Sequence, residues 1–310
     1  MNILIFGFSN HTKNRIIPAL LKFGNFKITI VTNNIPPKQS EELSGIKILD
    51  YNQLNSNQKI YDAIILATLP SQHLKLLLEY LNYSNLFLIE KPILIDSAKI
   101  KEIIDLKSSG KLIFETLMYK YHPCYEFLSN IKNLEKIESV EAVFTIPHLE
   151  QENFRYDKKR GGGVIYDQGI YPLSLAIEIS KTEPKILSHK EIFDKKLNMQ
   201  SGKYIELLLD KNIHFKGLWQ IGADYKNQVI VNSEKAQYIF DRFFSKPAEF
   251  NSKIQINKVN QKTFHRVGNY DQFFLMYKKI FFESNLIFNT EFENLKRRYN
   301  LIKKIENINF

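Results

Sequence analysis

Two short stretches of the chain hold residue types that together can move a proton on and off an oxygen. The triplet Glu90-Lys91-Pro92 follows an apolar run and presents a lysine. Residues 161–171 open with three glycines and carry Asp167 and Tyr171, which are four residues apart and so share one face of a predicted helix. An ammonium, a carboxylate and a phenol are suited to acid–base chemistry at a carbonyl or hydroxyl oxygen.

This combination fits the reduction of a ketone, which needs a hydride on carbon and a proton on oxygen. A free tyrosine has a pKa of about 10, and a nearby lysine ammonium lowers the pKa of a phenol. Lys91, Asp167 and Tyr171 are therefore the candidate catalytic residues. Two alternatives stay open on these residues alone: Lys91 as a solvated surface lysine, and Tyr171 as a packed aromatic side chain before Pro172.

The elements that must position these groups differ between the two parts of the chain. In residues 1–118, apolar strands alternate with helical spacing, which predicts an α/β domain with a parallel sheet covered on both faces. In residues 119–310, loosely alternating strands are joined by short polar turns and are followed by helical spacing over 271–306. This pattern predicts an α+β domain with an open, largely antiparallel sheet.

The first predicted strand ends in a turn that partly matches a dinucleotide-binding fingerprint. Gly7 stands at the first glycine position, but Ser9 and Thr12 replace the second and third glycines. The Ser9 hydroxyl can bind a phosphate, although its Cβ hinders close approach of the backbone. From this turn alone, a nucleotide site and an ordinary strand-to-helix turn are both possible.

The end of the second predicted strand bears on the choice of cofactor. A carboxylate there would bind the ribose diol of NAD, but the strand ends in Thr32 and Asn33, and Lys38 follows after two prolines. A missing acid and a nearby base favour NADP over NAD.

Three motifs in this order resemble those of a known family. Residues 67–73 resemble its turn after the fourth strand, the triplet at 90–92 resembles its Glu-Lys-Pro motif, and residues 161–171 resemble its glycine-led helix. The family is the glucose–fructose oxidoreductase, inositol dehydrogenase and rhizopine-catabolism (Gfo/Idh/MocA) group. The final helix, with Phe282-Glu283-Ser284, resembles its C-terminal signature, so the resemblance covers nearly the whole chain.

The resemblance implies an N-terminal Rossmann domain that binds NAD(P), and a C-terminal sheet that packs against another subunit. The substrate is expected between the domains, with Lys91 near the nicotinamide. Many members have histidine where this chain has Tyr171, and the tyrosine resembles the subgroup of sugar 3-ketoreductases and dihydrodiol dehydrogenases. The expected cofactor-binding residues are Gly7, Ser9, Asn10, His11, Thr32, Asn33, Thr68, Leu69, Pro70, His73, Glu90 and Lys91.

Further candidates for substrate binding lie before the glycine-led helix or within it. Tyr121 and His122 resemble a family segment after the sixth strand, although a lone histidine is more often structural. Arg155 can hold a phosphate or a sugar group, and Asp167 can bind a substrate hydroxyl. His148, His189 and His214 lack partners at metal-ligand spacing, so we predict no metal.

The composition limits the classes of partner. The 310 residues carry a formal net charge of +10, but the lysines are spread along the chain, so we expect a solvated basic surface rather than a nucleic-acid groove. No apolar run is long enough for a membrane helix, and Cys124 is the only cysteine, so a cytoplasmic protein without disulfides is expected.

We therefore predict an NAD(P)-dependent oxidoreductase that reduces a keto-sugar or keto-sugar nucleotide, works as a homo-oligomer, and binds neither nucleic acid nor membrane. Two alternatives remain. One is a dehydrogenase of a free polyol, inositol or diol, and the other is a cofactor-binding sensor or scaffold without turnover, which the altered turn at Ser9 and Thr12 keeps open.

Overall fold

The structure, a computed structural model, describes residues 1–33, 45–55, 60–210 and 212–308. Contacts divide the chain into two compact units: Met1–Thr116 with Tyr277–Phe292, and Leu117–Met276 with Glu293–Phe310. The sequence patterns assigned 277–292 to the C-terminal domain, whereas its aromatic side chains pack within the first unit. Phe281 lies 5.6 Å from Phe26 and Phe288 lies 5.6 Å from Phe114, measured between ring centroids.

The first unit holds a six-stranded sheet in the order β3-β2-β1-β4-β5-β6, with every pair parallel. Its strands are almost continuously buried because both faces of such a sheet are covered. The order reverses direction between β1 and β4, and ligands of such folds bind outside the carboxyl ends of the strands at this point. The strands are β1 Asn2–Phe6, β2 Lys27–Val31, β3 Ile46–Leu49, β4 Ala63–Leu66, β5 Leu86–Glu90 and β6 Leu112–Thr116.

Short helices connect these strands, and several begin with tighter or wider turns. The helix after β1 has a π-type turn at Thr12–Ile16 before its α-helical part. The sequence predicted most of these elements but missed β3 and α2, which follow a stretch interpreted as a loop. The α-helices are α1 Ile17–Leu21, α2 Tyr51–Asn55, α3 His73–Glu79 and α4 Ile100–Lys107.

The second unit holds an eight-stranded sheet in the order β14-β13-β12-β11-β7-β10-β9-β8. All its pairs are antiparallel except β7 with β10, so the predicted largely antiparallel sheet is confirmed. The sequence missed β8, β13 and β14, whose polar, exposed residues give no clear apolar alternation. The strands are β7 Ile137–Ile146, β8 Lys185–Asp194, β9 Met199–Leu209, β10 Ile213–Ile221, β11 Lys226–Ser233, β12 Gln237–Asp241, β13 Asn251–Lys258 and β14 Gln261–Asn269.

The chain also contains three longer helices, namely α5 Pro123–Leu134, α6 Ile170–Ile179 and α7 Gln272–Glu306. The helix predicted to run from Gly163 begins instead with a π-type turn at Ile165–Gly169, which contains Asp167. Helix α7 has a non-helical residue, Glu283, within it, and its residues divide between the two units. Among the described residues, no helix is both long and apolar enough to span a membrane.

Candidate active site

The turn after β1 is closed by hydroxyl groups where the dinucleotide fingerprint has glycines. The Ser9 Oγ accepts a hydrogen bond from the Thr12 N–H at 3.3 Å, and the buried Thr12 hydroxyl donates to the Gly7 carbonyl at 3.1 Å. Gly7 has a φ of +99°, and a Cβ there would lie 2.5 Å from the Ala67 carbonyl oxygen. Only glycine suits this position, whereas the two hydroxyls stabilise the rest of the turn.

The turns after β4 and β5 are joined by one buried histidine. His73 Nδ1 lies 2.9 Å from the Pro92 carbonyl oxygen, and its Nε2 lies 3.2 Å from the Thr68 carbonyl oxygen. Burial lowers the pKa of His73, and these carbonyl oxygens with nearby carboxylates oppose that shift. His73 was predicted as a cofactor contact, and its observed bonds hold together the two turns that contain Thr68 and Pro92.

Glu90 and His11 meet at the same edge of the sheet. Their closest side-chain atoms, His11 Nε2 and Glu90 Oε1, are 3.5 Å apart. Burial would raise the pKa of the Glu90 carboxyl, but His11, a hydrogen bond from Thr116 and the charge of Lys91 lower it overall. A largely buried carboxyl with a lowered pKa therefore precedes Lys91 at the carboxyl end of β5.

The predicted NADP-selective residues are only partly described. Thr32 is buried, and its N–H donates to the Leu49 carbonyl, while Asn33 is exposed. Lys38 lies outside the described residues. Within the described part of this edge, Thr32 and Asn33 present no carboxylate to a ribose.

These features fit a dinucleotide. The close approach of Gly7 to Ala67 leaves the turn without a side chain at the strand switch point, and Ser9 and Asn10 are exposed at the start of the following helix. Leu69 and Pro70 continue the next turn, with Pro70 opening a short 3₁₀ helix. The first unit thus provides a backbone cradle of the kind that a pyrophosphate needs.

In the second unit, the glycine run brings Arg155 to Asp167. A Cβ at Gly162 would lie 2.3 Å from the Phe154 carbonyl oxygen, so only glycine lets the two backbone segments approach this closely. The Arg155 Nε then donates to Asp167 Oδ2 at 2.6 Å, and Asp167 is 5% exposed. Arg155 was predicted to bind substrate, and here its Nε binds a predicted catalytic carboxylate.

Tyr171 lies on the first turn of α6 and is 3% exposed. Its ring packs against Phe144 at 5.0 Å and Phe244 at 5.6 Å, as the packed-aromatic alternative expects. Its hydroxyl lies 3.9 Å from the Met118 sulfur, which is a weak acceptor. Packing therefore fixes the ring of Tyr171.

His122 begins α5 as its N-cap. The ring is 1% exposed, and Nδ1 accepts from the Cys124 N–H at 3.1 Å and lies 3.4 Å from the buried Lys246 Nζ. Burial, and then the charge of Lys246, lower the pKa of His122 to about 3. The preceding Tyr121 is partly buried at the end of a 3₁₀ helix.

Sequence reasoning missed three residues of these sites. Thr12 was treated as a lost glycine, although a hydroxyl three residues after Ser9 is a known turn-closing pattern. Gln168, next to Asp167, was a detectable polar residue in an apolar stretch. Lys246 left no signal in the sequence. Among the described residues, no three or more His, Cys, Asp and Glu side chains group as metal ligands.

Comparison with known protein families gives a match in the N-terminal part of the chain. Residues 1–116 match the Gfo/Idh/MocA family, described as "Oxidoreductase family, NAD-binding Rossmann fold". Over these residues the chain is similar to an NAD-binding Rossmann domain. This match covers the cradle described above, from Gly7 to Thr116.

Curated relatives and a solved structure extend the likeness beyond residue 116. An uncharacterized oxidoreductase of Rhizobium meliloti is 29% identical over 102 residues, which span 32% of this chain and only 30% of that protein. The dTDP-3,4-didehydro-2,6-dideoxy-alpha-D-glucose 3-reductase of Saccharopolyspora spinosa is 20% identical over 83% of this chain and 80% of that enzyme. A 3-ketoreductase of Actinomadura kijaniata, solved with NADP and TDP-benzene, superposes with a TM-score of 0.83 at 17% identity, over 98% of this chain and 96% of that one.

These comparisons confirm the predicted Gfo/Idh/MocA resemblance. They also confirm an oxidoreductase with a nicotinamide dinucleotide as cofactor, and a Rossmann domain followed by a mostly antiparallel sheet. The roles of individual residues stay predictions.

Proposed function

We propose that this protein reduces the ketone of a keto-sugar nucleotide with NADPH. The main support for this proposal is the likeness, over most of the chain, to the 3-reductase of Saccharopolyspora spinosa. The substrate of that enzyme is a dTDP-linked keto-sugar. A tyrosine at position 171 supports carbonyl reduction, because a phenol is a good proton reservoir at neutral pH.

The first unit would hold the cofactor through the cradle around Gly7, the turn at Thr68–Pro70, and the carboxyl end of β5. Once bound, NADPH would supply the hydride for the substrate carbon. Preference for NADP rests on the neutral residues Thr32 and Asn33 at the end of β2 and on NADP in the solved structure of the Actinomadura kijaniata reductase.

In the proposed reaction, the Tyr171 hydroxyl donates a proton to the carbonyl oxygen, and the positive charge of Lys91 assists that transfer. Asp167 accepts a hydrogen bond from a substrate hydroxyl and so orients the sugar. Tyr121 and His122 stay proposed neighbours of the substrate. We also propose that the chain forms a homo-oligomer through its C-terminal sheet. Multi-angle light scattering tests the oligomer, which should have a mass above the 36.5 kDa of one chain.

The substrate class is tested by following NADPH oxidation with a panel of ketones. The panel contains dTDP- and UDP-linked keto-sugars, the same sugars without the nucleotide, and buffer alone. We expect turnover only with the nucleotide-linked ketones. Reduction of NADP by free inositol or polyols would instead show the dehydrogenase alternative, and tight NADPH binding without turnover on any carbonyl would show a sensor or scaffold.

A further inference from the structure

One oxygen of Asp167 receives two hydrogen bonds inside the second unit. The Arg155 Nε donates to Oδ2 at 2.6 Å, and the Gln168 Nε2 donates to the same oxygen at 2.5 Å. Gln168 is 2% exposed, so both the donor and the acceptor of this second bond are removed from water. Two hydrogen bonds to this oxygen restrict the rotation of the Asp167 carboxylate.

The orientation of the Gln168 amide follows from the charge of its neighbour. An ionised carboxylate only accepts hydrogen bonds, so the NH₂ group, and not the carbonyl oxygen, must face Asp167. The Gln168 Oε1 then points elsewhere, and it is buried without a hydrogen-bond partner among the described residues. A buried amide oxygen without a donor destabilises a fold, because it has lost its hydrogen bonds with water and gained none in return.

The local backbone brings these two consecutive side chains together. Residues 165–169 form a π-type turn, which has more residues per turn than an α-helix, so neighbouring side chains diverge less around the axis. On the next residue, Gly169 packs directly on the indole of the buried Trp219. This contact with Trp219 restrains the turn from which Gln168 donates to Asp167.

An apolar side chain of equal length would fill the same space without an unpaired oxygen. Apart from the bond to Asp167, packing and stability therefore favour methionine over glutamine at position 168. We propose that Gln168 is a positioning residue that, together with Arg155, fixes the Asp167 carboxylate for a hydroxyl next to the reacting ketone. This proposal rests on the proposed function, since it assigns the hydroxyl to the keto-sugar.

The test compares Gln168→Met with Gln272→Met. Gln272 is a matched control because it is buried in the same unit, and its Oε1 also has no partner within the described ranges, but its amide donates to the Lys246 carbonyl. For Gln168→Met we expect a melting temperature equal to or above that of the parent, unchanged NADPH affinity, and kcat for the keto-sugar nucleotide lower by about 10- to 100-fold. Gln272→Met should keep the parental kcat.

A second variant keeps the proposal testable if Gln168→Met folds poorly. Gln168→Glu places a carboxyl beside Asp167, which repels when ionised and donates a hydrogen bond only when protonated. Its kcat relative to the parent should therefore recover as the pH is lowered, which a merely structural defect would not produce. A parental kcat in Gln168→Met, or no recovery at low pH in Gln168→Glu, overturns the proposal. If the parent itself reduces no keto-sugar nucleotide, the proposed function has failed instead.

Discussion

Lowering the pH should destabilise the second unit through His122. This imidazole is buried against Lys246, and burial with that positive charge lowers its pKa from 6.5 to about 3. The neutral ring uses Nδ1 to accept the Cys124 N–H, and Tyr270 packs edge-on against it. In the unfolded chain the same ring binds a proton below pH 6.5, so the unfolded state takes up more protons than the native state between about pH 6.5 and pH 3.

The sign and size of the effect follow from this difference. The free energy of unfolding contributed by His122 is fully present above pH 6.5 and is lost as the pH falls toward about 3. Each pH unit below the ordinary pKa of 6.5 lowers the free energy of unfolding by about 1.4 kcal/mol, so the loss at pH 5 is about 2 kcal/mol.

The assay is urea unfolding at pH 8 and pH 5, followed by the fluorescence of Trp219. This is the only tryptophan of the chain and it is buried in the second unit, so the signal reports that unit. The comparison variant is His122→Asn, because asparagine is also a good N-cap but does not titrate in this range. We expect the parent to lose about 2 kcal/mol more than His122→Asn between the two pH values. Equal losses would refute the reasoning.

Three further substitutions test contacts that lie within one or the other unit. Gly7→Ala should destabilise the first unit by about 1–3 kcal/mol in denaturant unfolding and weaken NADPH binding, because its Cβ would meet the Ala67 carbonyl and its φ is positive. Thr12→Val should cost about 1 kcal/mol and weaken NADPH binding, since it deletes the bond to the Gly7 carbonyl; unchanged stability and affinity would count against the turn described here. Arg297→Lys should lower the melting temperature, because one ammonium nitrogen cannot replace both Nη1, which donates to the Ile177 carbonyl, and Nη2, which donates to those of Ser180 and Thr182. An unchanged melting temperature would show that these hydrogen bonds contribute nothing.

The sequence predicts the first unit well because its strands are apolar throughout. The predicted strand at Leu86–Glu90 agrees with β5 residue by residue, and its neighbours agree to within two residues. The strand Ile46–Leu49 was missed because its alternate residue Lys47 is exposed and a proline-containing stretch precedes it. The segment Tyr277–Phe292 has ordinary helical spacing, so only its tertiary contacts assign it to the first unit.

In the candidate site, too, the sequence predicted residues that are neighbours along the chain, but not contacts between residues far apart in it. Motif order placed Lys91 at the end of β5 and Asp167 beside Tyr171, because these are neighbours along the chain. The bond from Arg155 to Asp167 spans twelve residues and depends on a backbone contact of Gly162 that no periodicity predicts. The π-type turn at Ile165–Gly169 is also invisible in the residue pattern, since it differs from an α-helix only in hydrogen bonding.

The central claim is that Tyr171 supplies the proton in an NADPH-dependent ketone reduction. The most direct measurement is single-turnover oxidation of bound NADPH by a dTDP-linked keto-sugar, in the parent and in Tyr171→Phe. Phenylalanine keeps the ring contacts with Phe144 and Phe244, so folding and NADPH affinity should not change. We expect the rate to fall by about 10²- to 10⁴-fold, the usual size of a general-acid contribution. A Tyr171→Phe variant that oxidises NADPH at the parental rate would contradict the claim.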